Sequence, residues 1–318
     1  MSKYRGALPQ LGNSLFMTDG GPETTLIYHD GIELPAFGAF DLLKNAAGVS
    51  VLRGYFERYA KLARAYHLGL VLESPTWRAN RDWGASLGYD AAKLAEANRR
   101  SIDLLEEVRE ALETPSSRMV ISGNLGPRGD GYVPGRQMTA LEAYEYHIPQ
   151  IATFARTDAD MVAAFTMNYV EEAVGIVRAA ATYAMPVAIS FTLETDGRLP
   201  SGEPLEAAVA QTDAATDAYA AYYMINCAHP THFAHLLAGK QRWLDRLRGV
   251  RANASTRSHA ELDSSTDLDA GDPHALGRQY RAIAEALPHL SVVGGCCGTD
   301  HRHVEEIVRC LTQNEAVA

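Results

Sequence analysis

The sequence predicts a (β/α)8 TIM barrel, an α/β fold in which eight parallel strands alternate with helices. Eight short, β-rich apolar segments recur along the 318 residues, each bounded by Gly, Pro, Asn or Asp. Longer amphipathic stretches separate them, and strands that are apolar almost throughout are typical of buried parallel sheets. Eight such units in this length fit a closed barrel better than an open doubly wound sheet.

Each predicted strand is a run of apolar and β-branched residues that ends at a turn signal or a polar residue. Segment 186–193, with the sequence PVAISFTL, is typical of the set. Its flanking proline and polar residues limit the strand to a length that a barrel can use. The eight predicted strands are 14–20, 68–75, 118–127, 160–166, 186–193, 221–228, 247–255 and 290–298.

The predicted helices lie between the strands. The clearest covers 90–113, where Asp90 is a good N-cap and Leu94, Ile102 and Leu105 recur on one face. Apolar residues at this spacing form the stripe by which a barrel helix packs onto the sheet. The other predicted helices are 50–66, 139–157, 170–183, 203–217, 230–238, 274–286 and 301–312.

No internal linker interrupts the pattern, so we expect residues 1–318 to form a single domain. Two stretches exceed what a minimal barrel needs. Residues 20–48 follow strand one, and the acidic residues 256–273 follow strand seven. Loops of this length are typically lids or binding loops, and the alternative is a surface insertion with no role.

Composition and charge exclude several classes of partner. The chain is 47% hydrophobic and 21% charged, and its net charge is −10, from 29 Lys and Arg against 39 Asp and Glu. Without a basic block we expect no nucleic acid and no anionic membrane as partner. The sequence contains neither the apolar core of a signal peptide nor a membrane-spanning run. We therefore expect a cytoplasmic protein with its four cysteines reduced, and the sequence leaves a homo-oligomer open.

Functional groups recur where the predicted strands end. In such a barrel the active site lies at the carboxyl ends of the strands, whereas the strand interiors fill the core. Any one of these residues could cap the following helix, but cysteines cap poorly, and three of the residues are cysteines. The residues are Asp19, Glu73, Asn124, Thr166, Ser190, Asn226, Cys227, Asn253, Cys296 and Cys297.

Cys227, Cys296 and Cys297 predict a metal site. They end strands six and eight, which can aim at one central point, and three thiolates suit zinc. Three protein ligands leave a fourth position open, as in catalytic zinc sites. A vicinal disulfide between Cys296 and Cys297, or one catalytic thiolate, are the alternatives. Cys310 lies within the last helical pattern and is expected to be a small buried hydrophobe.

Three histidines stand near these cysteines in the sequence. His229, His301 and His303 fall beyond the strand ends, in segments that open helices. We expect them on the surface or behind the ligands. Gly294 and Gly295 precede the cysteine pair, and small residues there allow backbone and metal to approach closely.

The motifs resemble the homocysteine S-methyltransferase family, which includes the betaine- and S-methylmethionine-dependent enzymes and the homocysteine domain of methionine synthase. INCAHP and GGCCGTDHRHV carry the resemblance most specifically, supported by TDGGPETTL, ISGNLGP, ISFTLETDGRLPSG and RANAS. The resemblance implies a (β/α)8 fold and Zn²⁺ held by Cys227, Cys296 and Cys297. It also implies that Asp19 and Gly20 meet the amino-acid part of homocysteine.

The chain departs from the family pattern at two strand ends. Phe165-Thr166 stand where members usually carry a Glu that binds the substrate amino group, and Arg78 stands where the betaine enzymes have Tyr. A buried ammonium without a carboxylate costs several kcal/mol. Glu73 or Glu194 could replace the missing carboxylate. Alternatively, the acceptor is a thiol that lacks an α-amino group.

The resulting hypothesis is a zinc-dependent S-methyltransferase that moves a methyl group from an onium-type donor to a zinc-bound thiol, with homocysteine giving methionine. Its partners would be a small-molecule thiol acceptor and a methyl donor. Onium groups bind aromatic faces, for which Trp77 is the first candidate and Tyr132 and Tyr28 are weaker ones. A zinc hydrolase and a non-catalytic thiol- or metal-binding protein are the alternatives. The predicted substrate-binding residues are Asp19, Gly20, Glu73, Thr76, Trp77, Thr166 and Asn226.

Overall fold

The computed structural model of the protein describes residues 2–239 and 241–313. Eight parallel strands close into a barrel, each paired with its neighbours in the chain and the last with the first. The predicted fold class is confirmed. Each strand overlaps its predicted segment but is mostly shorter, because the flanking residues turn toward the helices. The strands are β1 (Phe16–Met17), β2 (Gly69–Glu73), β3 (Met119–Leu125), β4 (Met161–Met167), β5 (Val187–Thr192), β6 (Tyr222–Asn226), β7 (Leu247–Ala252) and β8 (Val292–Gly295).

The helices surround the barrel, and every predicted helix is found. Asp90 is the N-cap that the sequence predicted, since its side chain accepts a hydrogen bond from the Lys93 backbone N–H at 2.8 Å. The segment predicted at 230–238 is a four-residue α-helix followed by a 3-10 turn. The helices are α1 (Ala46–Ala65), α2 (Arg81–Ser86), α3 (Ala91–Leu112), α4 (Ala140–Ala155), α5 (Val170–Thr182), α6 (Leu205–Ala215), α7 (Pro230–Phe233), α8 (His259–Asp263), α9 (Pro273–Ala286) and α10 (His301–Thr312).

The two long predicted loops contain helical structure. Within 20–48 the chain forms a π-helical turn at Thr24–His29 and a 3-10 helix at Ala39–Lys44. α1 begins at Ala46, inside the predicted loop, because the Asn45 side chain caps it by accepting from the Gly48 N–H at 2.9 Å. Segment 256–273 contains α8, which opens with a capping box.

Strand residues alternate between the barrel interior and the helix layer. On β2, Val71 packs inside the barrel with Phe165 and Met224, whereas Leu70 and Leu72 face the helices. Continuing this alternation turns Glu73 inward at the carboxyl end of β2. The same alternation on β7, where Val250 and Ala252 face the helices, turns Arg251 inward. The apolar interior therefore ends in a polar layer at the carboxyl end of the barrel.

The amino-terminal segment closes the opposite end of the barrel. Arg5 donates hydrogen bonds to the carbonyls of Ala155, Thr157 and Ala159, which precede β4. Leu8 packs into the interior cluster. Among the described helices, none combines the length and hydropathy needed to cross a membrane.

Candidate active site

The three cysteines predicted as ligands converge at the carboxyl ends of β6 and β8. Cys227 follows the last residue of β6, and Cys296 and Cys297 follow β8. Their Sγ atoms lie within 4.8 Å of one another, and those of Cys227 and Cys297 are 4.0 Å apart. In the described part of the chain, this is the one cluster of His, Cys, Asp and Glu ligand atoms so close together. Cys310 lies buried in α10, as predicted.

Close backbone packing makes this convergence possible. A Cβ atom on Gly294 would lie 1.9 Å from Thr18 Oγ1, and one on Gly295 would lie 2.1 Å from Thr299 Oγ1. Both positions therefore require glycine because of Thr18 and Thr299, and the approach of a metal, which the sequence suggested as the reason, stays a prediction. Cys227 has a φ of 52°, a left-handed conformation that is unusual for a non-glycine residue.

The structure pairs Cys227 with Cys296, whose sulfur atoms are in direct contact as a disulfide. This differs from the sequence prediction that all four cysteines are reduced. The vicinal alternative, Cys296 with Cys297, is also not the pair that forms. The ends of β6 and β8 face one axis, which brings the Cys227 and Cys296 side chains together. Cys297 and Cys310 are free thiols.

The donor set fits zinc chemically. Tetrahedral zinc with Zn–S distances of about 2.3 Å needs sulfur atoms about 3.8 Å apart. The 4.0 Å separation between Cys227 and Cys297 is close to this value. Cys296 would have to be reduced and to move its sulfur away from Cys227. The sulfur cluster could then hold a soft divalent metal with one position open.

Asn226 organises the residues behind the sulfur cluster. Its Oδ1 accepts hydrogen bonds from the Thr166 backbone N–H at 2.9 Å and from Ser190 Oγ at 2.7 Å. Its Nδ2 donates to Thr166 Oγ1 at 2.9 Å and lies 4.0 Å from Cys296 Sγ. Thr166 has a φ of 63°, and this conformation, held by Asn226, brings its Oγ1 to 4.0 Å from Cys227 Sγ.

A buried ion pair lies beside the cluster, between β7 and the end of β1. Arg251 Nη2 contacts Asp19 Oδ1 at 2.6 Å and donates to the Gly20 carbonyl at 3.0 Å. Tyr55 donates to the other Asp19 oxygen at 2.9 Å. Burial alone would lower the pKa of Arg251, but Asp19 and Glu73 raise it above its usual value, so the guanidinium is charged. Both oxygens of Asp19 are thus already engaged by protein groups.

Glu73 lies in the same polar layer with a free carboxyl oxygen. It is 5% exposed, and its Oε2 has no hydrogen-bond partner among the described residues. Burial raises the pKa of Glu73 to about 8, although Arg251 opposes the shift. Glu194, the other predicted substitute for the family carboxylate, lies 3.2 Å from His259 Nδ1 and is about one-third exposed. Of the two, Glu73 is the one that the structure leaves unpaired.

Trp77 and Thr76 are already occupied by protein groups. The Arg78 guanidinium lies 4.1 Å from the Trp77 ring centroid and 3.9 Å from that of Trp83. One face of Trp77 is therefore covered by a cation of the protein itself. Thr76 is buried, and its Oγ1 donates to the Asn124 carbonyl at 2.7 Å.

Tyr132 is an aromatic residue beside the sulfur atoms. Its hydroxyl lies 3.5 Å from Cys297 Sγ, and its ring stacks on His259 with centroids 4.0 Å apart. His259, in α8, holds the Cys227 carbonyl at 2.6 Å through Nε2. The long segment 256–273 therefore contacts the site, and its role as a lid or binding loop stays a prediction. Tyr28, the other weak candidate, is 52% exposed.

Comparisons with known proteins agree with this geometry. The sequence profile of the homocysteine S-methyltransferase family matches residues 16–311. The chain belongs to the homocysteine S-methyltransferase family. It is 28% identical over 291 residues to the methionine synthase of Mycobacterium leprae (strain TN), covering 83% of this chain. This chain spans only about a fifth of that relative, since the match covers 21% of it.

Solved structures share the barrel. The metallated form of the homocysteine methyltransferase MmuM from Escherichia coli superposes with a TM-score of 0.74 at 19% identity, covering 95% of this chain and 98% of that one. Its oxidized form also gives a TM-score of 0.74, at 20% identity, covering 96% and 99%. At this identity the likeness establishes the fold.

Several residues of the candidate site are unlike the sequence expectations or absent from them. Phe165, at the position of the usual family Glu, lies inside the barrel with its ring centroid 4.9 Å from the Arg251 guanidinium. Arg251 and Tyr55 were not predicted. The available signal for Arg251 was weak, because β7 contains two arginines, Arg248 and Arg251, and only Arg251 is fully buried. Tyr55 had none, because it is one of several aromatic residues on the buried face of α1.

The three histidines do not join the sulfur cluster. His229 caps α7, accepting from the Thr231 N–H at 3.3 Å, and burial lowers its pKa to about 4. His303 is buried and bonds the Ala270 carbonyl at 2.7 Å. His301 opens α10. Their positions agree with the prediction that they lie on the surface or behind the ligands.

Proposed function

We propose that this S-methyltransferase moves a methyl group from an onium-type donor to the thiol of homocysteine, with zinc held by Cys227, Cys296 and Cys297. The single observation that carries the proposal is the convergence of three sulfur atoms within 4.8 Å at the catalytic end of the barrel. Membership of the family supports homocysteine as the acceptor.

Zinc in this position would keep an acceptor thiol deprotonated and nucleophilic. The protein groups around it orient the reactants. Asn226 fixes Thr166 and reaches toward Cys296, and Tyr132 closes the side of Cys297. Holding donor and acceptor in line supplies much of the rate in such a transfer, because it removes the entropy cost of their encounter.

The acceptor head would bind in the polar layer beside Asp19. Glu73 has the unpaired oxygen that an ammonium needs, and the ammonium would favour its ionised form. The absence of a carboxylate at Phe165 supports the second candidate, a methyltransferase acting on a thiol without an α-amino group. The two acceptors differ in their need for Glu73.

The donor is proposed to bind over the sulfur cluster. An onium group could use only the face of Trp77 that Arg78 does not cover. Tyr132 presents an aromatic ring closer to Cys297, although His259 covers one of its faces. These contacts favour a small donor that reaches the cluster between the two rings.

Zinc analysis followed by a donor-by-thiol matrix tests the proposal. Wild-type protein should hold about one zinc per chain and methylate homocysteine from S-methylmethionine, S-adenosylmethionine or betaine, as measured by mass spectrometry. Cys296→Ala should lose at least about tenfold in zinc affinity, since it removes one of three ligands, and should lose activity. Cys310→Ala, in a cysteine far along α10, is the control and should keep both.

Other results would reject the proposal in distinct ways. Zinc retention with full activity in Cys296→Ala would exclude the sulfur cluster as the metal site. Ester or lactone hydrolysis without methyl transfer would favour a zinc hydrolase. Calorimetric thiol binding without turnover of any onium donor would favour a binding protein. Glu73→Gln should raise the KM for homocysteine, and an unchanged KM would remove Glu73 as the ammonium partner.

A further inference from the structure

We infer that Arg251 binds the carboxylate of the acceptor thiol and makes the site selective for thiols that carry a carboxylate. The inference rests on the proposed function, because it assigns a role within the same acceptor pocket. It concerns a residue for which neither the sequence motifs nor the comparisons give a role. Four features of the structure support it: the contacts of the guanidinium, its location, the charges around it and the ring beneath it.

The guanidinium is held by three protein acceptors on one side only. Nε donates to the Gly295 carbonyl at 3.0 Å, and Nη2 contacts Asp19 Oδ1 at 2.6 Å and the Gly20 carbonyl at 3.0 Å. Nη1 makes no hydrogen bond to any residue that the structure describes. About 6% of the side chain remains accessible. A guanidinium has five N–H donors, so the two on Nη1 are left for a ligand.

The location of Arg251 suits an acceptor whose sulfur binds at the cysteines. Arg251 pairs with Asn226 on β6 and with Gly294 on β8, the strands that end in the cysteines. Its own carbonyl accepts the Cys227 N–H at 3.1 Å, and its Nε holds the carbonyl of the residue before Cys296. The guanidinium therefore lies in the polar layer at the ends of the strands that lead into the cysteines.

The surrounding charges favour an anion at Nη1. Within residues 2–239 and 241–313, Asp19 is the one carboxylate in contact with Arg251. Glu73 also faces the guanidinium, but burial raises its pKa to about 8, so that it is mostly neutral at pH 7. A neutral Glu73 does not repel a ligand carboxylate, and a Glu73 ionised by the homocysteine ammonium is neutralised by that ammonium. Arginine is the side chain best suited to a planar carboxylate.

Phe165 supports the guanidinium without competing for it. Its ring centroid is 4.9 Å from the guanidinium carbon, a cation–π contact. A carboxylate at this position would instead add a second acceptor beside Arg251. The exchange of the usual family Glu for Phe thus leaves the guanidinium one ion-pair partner and free donors.

The alternative is that Arg251 only ties the ends of β1 and β8 together. Three thiols separate the two roles: homocysteine, 4-mercaptobutanoate, which lacks its amino group, and 3-aminopropane-1-thiol, which lacks its carboxylate. Binding of each to the zinc-loaded protein is measured by calorimetry, so that no methyl transfer is needed. The variants are Arg251→Met and Arg251→Lys. The control is Arg246→Met. Arg246 directly precedes β7, and its guanidinium pairs with Asp213 of α6.

We expect Arg251→Met to weaken binding of homocysteine and 4-mercaptobutanoate by about 10- to 100-fold, as for a lost hydrogen bond to a charged group. Binding of 3-aminopropane-1-thiol should change less than about threefold. Arg251→Lys, which keeps the charge beside Asp19 but lacks the second arm, should show the same preference more weakly. Arg246→Met should leave all three affinities unchanged.

Equal losses for all three thiols, or no loss for any, would overturn the inference. Within one variant, the ratio of the affinity for a carboxylate-bearing thiol to that for 3-aminopropane-1-thiol is insensitive to a general loss of binding. If Arg251→Met does not fold, the same ratio is measured with Arg251→Lys. The proposed function fails separately, if wild-type protein transfers no methyl group to any thiol. In that case the carboxylate preference would still be measured by binding.

Discussion

Glu73 is buried in the polar layer at the carboxyl end of the barrel, and burial raises its pKa from 4.5 to about 8. A carboxyl group with a raised pKa stabilises the folded state fully below pH 4.5. That contribution is lost as the pH rises toward 8, because the unfolded chain releases the proton and the folded chain retains it. Burial of Glu73 therefore lowers the free energy of unfolding at neutral pH, and it leaves a carboxyl group whose protonation a bound ligand can change.

Replacing Glu73 by Gln should remove this pH dependence. Between pH 5 and pH 8, wild-type protein should lose stability relative to Glu73→Gln by about 1.4 kcal/mol per pH unit. Urea unfolding of both proteins across this range measures the difference. Glu110→Gln, in an exposed side chain of α3, is the control and should follow the wild type. Parallel curves for wild type and Glu73→Gln would mean that Glu73 titrates normally.

At the scale of the element, β8 places the cysteine pair only because its glycines allow β1 to pack against it. A Cβ at Gly294 would lie 1.9 Å from Thr18 Oγ1 and 2.8 Å from the Asp19 carbonyl. Since the second of these atoms is backbone, β1 would have to move. The same movement would displace Asp19, and with it the partner of Arg251.

Gly294→Ala should therefore destabilise the protein by about 3 kcal/mol, at the upper end of the usual overpacking cost, and should weaken zinc binding. Gly54→Ala in α1 is a matched control, because a Cβ there meets nothing within 4 Å. It should raise stability by up to about 1 kcal/mol through helix propensity. Thermal unfolding and zinc titration of both variants test this. An unchanged free energy of unfolding in Gly294→Ala would show that the backbone after β1 can shift at little cost.

At the scale of the whole molecule, the site lies at one end of the barrel and the amino-terminal segment closes the other. Arg5 clamps the turn before β4 through three backbone carbonyls. These contacts are far along the strands from the cysteines, so stability and metal binding should be separable there.

Arg5→Met should lower the free energy of unfolding by about 2 to 3 kcal/mol, because it leaves the clamped carbonyls without their charged donor. Zinc content and thiol affinity should remain those of the wild type. Arg136→Met, in a side chain that is 86% exposed, should change stability by less than about 0.5 kcal/mol. Chemical unfolding with parallel metal analysis tests both. Loss of zinc in Arg5→Met would show that the two ends of the barrel are coupled.

Sequence patterns predicted the structure best where a residue type in a given pattern is compatible with only one structural role. The alternation of apolar strands and amphipathic helices predicted the barrel, since buried parallel strands and their covering helices need those patterns. Paired cysteines after two glycines predicted the sulfur cluster. The role of Trp77 could not be predicted as well, because aromatic residues occur in cores, on surfaces and in ligand sites alike. The stacking of the Arg78 guanidinium on the Trp77 ring is seen only in the three-dimensional structure.

The sequence by itself determined the fold class, the strand ends and the three cysteines, because these follow from local periodicity and from residues adjacent in the chain. Only the tertiary structure decided that Arg251 meets Asp19, 232 positions away, and leaves donors free beside the cysteines. It also decided that Glu73 rather than Glu194 is unpaired. Such pairings depend on barrel closure, which brings distant strands to one axis and removes the water that would otherwise solvate their charges.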